Sequence, residues 1–208
     1  MSIQKIKIKE QLIKFLPEEG IDQVVDLISK HKVKFKVSKP RLTKLGDYRS
    51  PNLDGYHRIT VNGNLNKYAF FLTSIHEFAH LENQLVHGNR VAAHGKEWKS
   101  IFSTLLKEGK VDVWFPDDIK KSITRYIKNP KASSCGDHDL FQALRKYDKR
   151  ASAPLLKELE HGAHFVLQDR VFQKGEMLRK RVKCKEIQSG KLYLVNAIAE
   201  VVLISKEK

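Results

Sequence analysis

Along residues 9–30, Leu12, Ile13, Leu16, Val24, Val25, Leu27 and Ile28 fall at helical spacings, interrupted by the turn-like stretch from Pro17 to Gly20. The pattern predicts two short helices or one broken helix. The period then drops to two. Val33, Phe35 and Val37 alternate with Lys32, Lys34 and Lys36, as in a strand with one face in the core and the other in water. Gly46 to Arg49 and Tyr56 to Val61 predict two further strands, separated by the turn-rich SPNLDG and ended by Asn62-Gly63-Asn64. A small antiparallel sheet is expected. From Leu65 to about Val86 apolar residues recur at helical spacing without Gly or Pro, predicting a long buried helix that stops at His87-Gly88-Asn89. Further helices are predicted from Gly95 to Lys107 and from Asp117 to Lys128.

Asn129-Pro130 and the following KASSCGDHD read as a linker, after which Leu140 to Tyr147 and Leu155 to Glu160 fit short helices. Beyond Gly162 the composition changes. HFVLQ, RVFQ, MLRKRVKCKEI, KLYLV and AEVVLIS are rich in β-formers and punctuated by Gln173-Lys174-Gly175 and Gln188-Ser189-Gly190, so a small β-meander or barrel is expected. The chain therefore reads as an α+β protein in three parts: a core over residues 1–128, a linker with short helices over 129–161, and a β-rich module over 162–208.

Composition narrows the classes. At 208 residues and 41% hydrophobic, the chain has enough apolar matter for a real core. The opening MSIQKIKIKEQLIKFL is too charged for a signal peptide and no eighteen apolar residues run together, so a cytoplasmic protein with no membrane partner is expected. Cys135 and Cys184 are the only cysteines and form no CxxC. Neither a disulfide framework nor a cysteine-rich zinc ribbon can be built from them, and any metal must rest on His, Asp or Glu. The net charge of +15, from 39 basic and 24 acidic residues, is spread over both halves. It favours polyanion partners, nucleic acid first, with a nucleoid-associated location as the corollary; simple solubility is the plainer explanation.

Four of the nine histidines lie between Ser74 and Trp98, in SIHEFAHLENQLVHGNRVAAHGKEW. His76-Glu77-Phe78-Ala79-His80 is an HExxH pattern inside the longest predicted helix, the context that motif needs. Four residues make about one turn, so both imidazoles project from one face, roughly 6 Å apart along the axis. Glu77 is rotated by about 100° from His76, where a carboxylate can serve a metal-bound water without becoming a ligand. A catalytic zinc takes three protein ligands and keeps one position open. His87 points the right way but lies roughly 10 Å further along the helix from His80, which suits a capping or surface role. His94 follows the six-residue loop GNRVAA, long enough at up to roughly 20 Å to return along the helix, and is the best third ligand. Glu82 and Glu97 remain carboxylate alternatives.

A long helix bearing HExxH, followed after a loop by a third His in an H-G-x-x-[FW] stretch, resembles the SprT-like zinc metallopeptidases, the family that includes the DNA-protein crosslink protease Spartan. The residues that carry the resemblance are His76, Glu77 and His80 in SIHEFAH and His94, Gly95 and Trp98 in HGKEW. It covers roughly residues 1–125. It implies a zincin-like minimal α+β core with one Zn2+ ion on His76, His80 and His94, Glu77 as catalytic base, and protein substrates bound to DNA, with DNA itself, single-stranded or damaged, as a partner. Many family members carry a cysteine-rich ribbon after the core, and here a β-rich tail with the lone Cys184 stands in that place.

On that reading Glu77 takes a proton from the zinc-bound water and hands it to the leaving amine, with Tyr48, Tyr56 and His57 as candidates to stabilise the oxyanion. Two basic surfaces are candidates for nucleic acid. The run from Lys30 to Lys44 holds seven Lys or Arg and no acid, with Lys34, Lys36 and Arg41 as the phosphate-binding candidates. The stretch Arg179-Lys180-Arg181-Val182-Lys183-Cys184-Lys185 is the densest; Arg179, Arg181 and Lys183 are its candidates, with Phe165, Phe172 and Tyr193 as stacking platforms or as core. Cys184 reads as a buried small apolar residue. The competing function is a nucleic-acid-binding protein whose zinc site is catalytically silent.

Overall fold

The computed structural model describes residues 2–41, 44–132, 136–148 and 153–204, so Cys135 lies outside the described residues. The chain divides into two compact units, Met1–Lys149 and Arg150–Lys208.

The first unit begins with two helices, α1 (Ile3–Leu12) and α2 (Glu18–Lys30). Pro17 at the N-cap of α2 lacks only an N–H that a helix start leaves unpaired, and Glu18 and Glu19 complement the positive end of the helix dipole. A three-stranded sheet follows from β1 (Val33–Ser38), β2 (Gly46–Arg49) and β3 (His57–Asn62), in the order β1-β3-β2. The sheet is mixed, not antiparallel: β2 runs antiparallel to β3, but β1 runs parallel to it, Phe35 opposite Ile59. A parallel neighbour needs a long crossover, and residues 39–56, which carry β2 to the far side of β3, supply it. The alternation of β1 reports which face is wet; it says nothing about the direction of its partner.

One face of this sheet carries Val33, Phe35, Val37, Ile59 and Val61 onto the core shared with the helices. The centre of that core is α3 (Lys67–His87). Phe70, Phe71, Ile75, Phe78 and Leu81 on it are fully buried, each contributing about 1.5–3 kcal/mol of burial. Asn66 caps its start by accepting from the Ala69 N–H, and Gly88, at φ 60°, ends it, a left-handed φ that glycine takes without strain. The remaining helices are α4 (Lys96–Glu108), α5 (Val111–Trp114), α6 (Asp117–Lys128) and α7 (His138–Arg145). The short α5 is not expected from the pattern, because four residues make barely more than one turn and cannot show a recurring apolar face. α7 packs Leu140, Ala143 and Leu144 into the first core, and Tyr147 meets Tyr68 edge-on with ring centroids 4.8 Å apart.

The second unit is a five-stranded antiparallel sheet in the order β7-β6-β5-β4-β8, built from β4 (His164–Leu167), β5 (Arg170–Met177), β6 (Arg181–Glu186), β7 (Leu192–Asn196) and β8 (Val202–Leu203). A 3-10 turn at Leu156–Glu158 belongs to this unit, since Leu156, Leu159, Phe165, Phe172, Val182, Cys184, Ala197 and Val201 form one core. The segment 129–161 is thus divided: α7 packs in the first unit and the 3-10 turn in the second. Lys174 is buried, and its ammonium donates to the carbonyls of Lys157 and Leu159, fastening the turn to β5. Among the described residues no helix is long and apolar enough to cross a membrane.

Candidate metal centre

His76 and His80 lie one turn apart on α3, and the packing of α4 along α3 brings His94, at the end of the loop before α4, back beside them. The Nε2 atoms of His76 and His80 are 3.1 Å apart and those of His76 and His94 are 3.3 Å apart. One ligand atom from each of the three lies within 4.8 Å of the others, and among the described residues no other group of His, Cys, Asp or Glu converges in this way. Neither carboxylate alternative joins them. Glu82 turns to the end of α2, 2.9 Å from Lys30 Nζ and 3.1 Å from His31 Nε2. Glu97 lies 3.9 Å from Lys96 Nζ. His87 closes α3, where its carbonyl accepts from the Arg90 backbone and guanidinium.

The surroundings hold the imidazoles neutral. Burial, then the positive charge of the neighbouring histidines, takes His76 down to about 3 and His80 to about 4, and burial lowers His94 as well. Trp98 on the first turn of α4 is fully buried, and its ring lies 4.7 Å from both His76 and His94 and 5.3 Å from His80. Three neutral imidazoles whose Nε2 atoms converge within hydrogen-bond distance offer, once those nitrogens are free of protons, three lone pairs directed at one point. That donor set fits zinc, which takes imidazole nitrogen readily and uses three protein ligands where it is catalytic.

Glu77 projects to the side of this cluster, against β2. It is buried, and the Tyr48 backbone N–H donates to its carboxylate. Gly46 makes room for it: a Cβ at that position would collide with Glu77 Oε1 and would stand 2.7 Å from Thr73 Cγ2. The pattern does not single out Gly46, although a glycine inside a strand is a signal of close approach by another group. Burial and then the negative charge of Asp47 push Glu77 up to about 8. The protein alone therefore keeps Glu77 as the acid, and a positive charge among the histidines would return it to the carboxylate that a base needs.

The three oxyanion candidates separate. Tyr48 lies with its ring within 11° of parallel to His80 at 6.4 Å, and its hydroxyl is 2.9 Å from His57 Nδ1. Tyr56 is exposed and lies under the ammonium groups of Lys32 and Lys34, each 4.8 Å from its ring centre.

The nucleic-acid candidates also separate. Lys34 is paired with Asp54 at 2.8 Å, whereas Lys36 is exposed. Arg41 is partly buried: one guanidinium nitrogen reaches Thr60 Oγ1 at 3.3 Å, and its Nε and Nη2 are enclosed. Arg179, Arg181 and Lys183 are exposed. Of the two readings of the aromatics, stacking platform or core, the structure takes the second. Phe165 and Phe172 are buried in the second core, and Tyr193 packs against that core beneath the Arg170 guanidinium, 4.6 Å from its ring centre. Cys184 is buried there too.

A model described as the SprT-like family matches residues 10–113, half of the chain, including all three histidines and Glu77. No curated protein and no solved structure matches the chain.

Proposed function

Because the chain belongs to the SprT-like family, we propose that it is a zinc-dependent endopeptidase acting on proteins associated with DNA. The observation that carries the reading is a pairing: a three-histidine cluster with one carboxylate beside it, that carboxylate held against β2, which is an edge of its sheet. A free edge offers unpaired backbone groups to an extended polypeptide, which favours peptide over small-molecule substrates.

His76, His80 and His94 would hold the ion. Zinc, when bound, supplies Lewis acidity that activates a water and polarises a carbonyl. The remaining roles belong to the chain. Glu77 carries a proton on its carboxylate from the attacking water to the leaving amine, and the Tyr48 N–H and the space over Gly46 fix its orientation. Trp98 excludes water from behind the histidines.

The test is cleavage of a purified basic DNA-binding protein, with and without single-stranded DNA, by the protein and its Glu77→Gln variant at equal zinc content. Cleavage that disappears in the variant supports a peptidase, and stimulation by DNA supports the substrate class. Zinc-loaded protein that cleaves nothing under either condition would give the silent binding site the stronger claim.

A further inference from the structure

Tyr48 meets both halves of the metal centre. Its backbone N–H donates to Glu77, and its ring lies alongside that of His80, 11° from parallel with the centroids 6.4 Å apart. It stands in register opposite the buried Ile59, which puts its side chain on the sheet face that α3 packs against. Among the described residues the hydroxyl has a single partner, His57 Nδ1 at 2.9 Å. His57 is itself held in place: it is 8% exposed, and its backbone N–H donates to the Lys32 carbonyl at 3.0 Å. Burial, then the charge of His31, lowers its pKa, so at neutral pH the imidazole carries one ring proton. No hydrogen bond reaches His57 Nε2 among the described residues. A proton there would be a donor without a protein acceptor, whereas on Nδ1 it meets the phenol oxygen.

We propose that Tyr48 is the catalytic residue that steadies the carbonyl oxygen of the scissile peptide bond, and that His57 is the positioning residue that turns the phenol proton toward it. The proposal rests on the peptidase reading. With Nδ1–H donating to the phenol oxygen, the Tyr48 O–H is left to donate to substrate, and a phenol keeps its proton at neutral pH. As the water oxygen bonds to the carbonyl carbon, one water proton passes to Glu77 and the π pair moves onto the carbonyl oxygen, which accepts from Tyr48. As the C–N bond breaks, its pair leaves with the amine nitrogen, which takes the proton from Glu77. The carbonyl re-forms, and the acid product gives its remaining water proton to solvent. Tyr48 keeps its own proton throughout. Its hydrogen bond is strongest where the oxygen carries most charge, so it lowers the barrier rather than tightening substrate binding. The other two candidates do not fill this place: His57 is buried with Nδ1 engaged, and Tyr56 is exposed beneath two ammonium groups.

The experiment compares wild type, Tyr48→Phe, His57→Gln and the double variant at equal zinc content on the purified basic DNA-binding protein. Phenylalanine keeps the ring beside His80, and unchanged thermal unfolding confirms that the variant folds. Tyr48→Phe is expected to lower kcat about 100- to 1,000-fold, with KM and zinc affinity within about 2-fold of wild type. His57→Gln is expected to lower kcat about 10-fold, and the double variant no further than Tyr48→Phe alone, because His57 acts through the phenol. Tyr56→Phe should change kcat less than ~2-fold. A second readout does not depend on turnover: heteronuclear NMR of histidine-labelled protein reads the tautomer, and the His57 signals, identified by their loss in His57→Gln, are expected to show Nδ1 protonated. Cleavage that Glu77→Gln abolishes and Tyr48→Phe leaves within ~2-fold would overturn this proposal alone. So would a loss confined to KM, a parallel loss of zinc, a double variant that sums the two single losses, or a His57 protonated on Nε2. Absence of cleavage by the wild type would overturn it together with the peptidase reading.

Discussion

Gly46→Ala is a single-methyl perturbation aimed at the carboxylate and away from the histidines. The added Cβ would lie 2.7 Å from Thr73 Cγ2 and 2.8 Å from Glu77 Cγ, against ordinary carbon contacts of ~3.5–4 Å. Some group must therefore move by about 1 Å. Thr73 is anchored through its hydroxyl to the Ala69 carbonyl at 2.7 Å, so Glu77 is the side chain that yields. Overpacking of this kind costs about 1–3 kcal/mol. Gly46 has no left-handed backbone angle, so alanine recovers about 0.4–1 kcal/mol by stiffening the unfolded chain. The net expectation is a loss of about 0.5–2 kcal/mol in urea unfolding. The catalytic effect should be far larger, since a misplacement of ~1 Å costs about 100-fold. We expect kcat to fall about 100-fold while zinc affinity, measured by chelator competition, stays within about 2-fold. A variant with wild-type kcat and lower stability would show that β2 does not position Glu77. A parallel loss of zinc would show that the carboxylate and the histidines are not separable.

His94→Ala should lower zinc affinity by at least ~100-fold, whereas Glu82→Gln and Glu97→Gln should leave it unaltered; isothermal titration separates three histidines from a mixed ligand set. Trp98→Ala removes a fully buried ring and is expected to cost about 3–5 kcal/mol in denaturant unfolding, with faster zinc loss to a chelator; equal stability would contradict the packing described. In the second unit, the hydrogen bond from Arg170, then that from Ser189, holds Glu186 down at about 2. A depressed carboxylate stabilises the fold fully above its unfolded value near 4.3 and loses that contribution as pH falls toward 2. Glu186→Gln should therefore flatten the pH dependence of stability between about 4.3 and 2, and an unaltered acid limb would remove the pair from the account.

Much of the first unit is legible because strong periodicity coincides with strong punctuation. α6 begins after Pro116 and ends before Asn129-Pro130, and its bounds agree with the pattern residue for residue. α3 is equally plain, with Asn66 before it and Gly88 after it. His94 can be singled out because HExxH supplies only two ligands and the loop has the length to bring back a third. What escapes is whatever depends on a partner in space. The direction of β1 is set by β3, the need for Gly46 by Glu77, and the turn of the Arg41 guanidinium toward the sheet by Thr60. The inward turn of Phe165 and Phe172 depends on strand parity, and parity flips with a shift of one residue. A list of β-formers does not contain it.

Asn66 makes the last point. Its carbonyl oxygen caps α3, while its amide donates to the Leu144 carbonyl at 2.9 Å and to Asp148 Oδ1 at 2.6 Å. The helix that bears His76, Glu77 and His80 is thus latched at its start by residues more than thirty positions beyond the stretch that matches the family, which ends at residue 113. The boundary of kinship and the boundary of folding do not coincide. A fragment cut to the shared stretch would keep His76, His80 and His94 and lose the latch, so a fragment meant to hold the start of α3 as it stands here must reach Asp148.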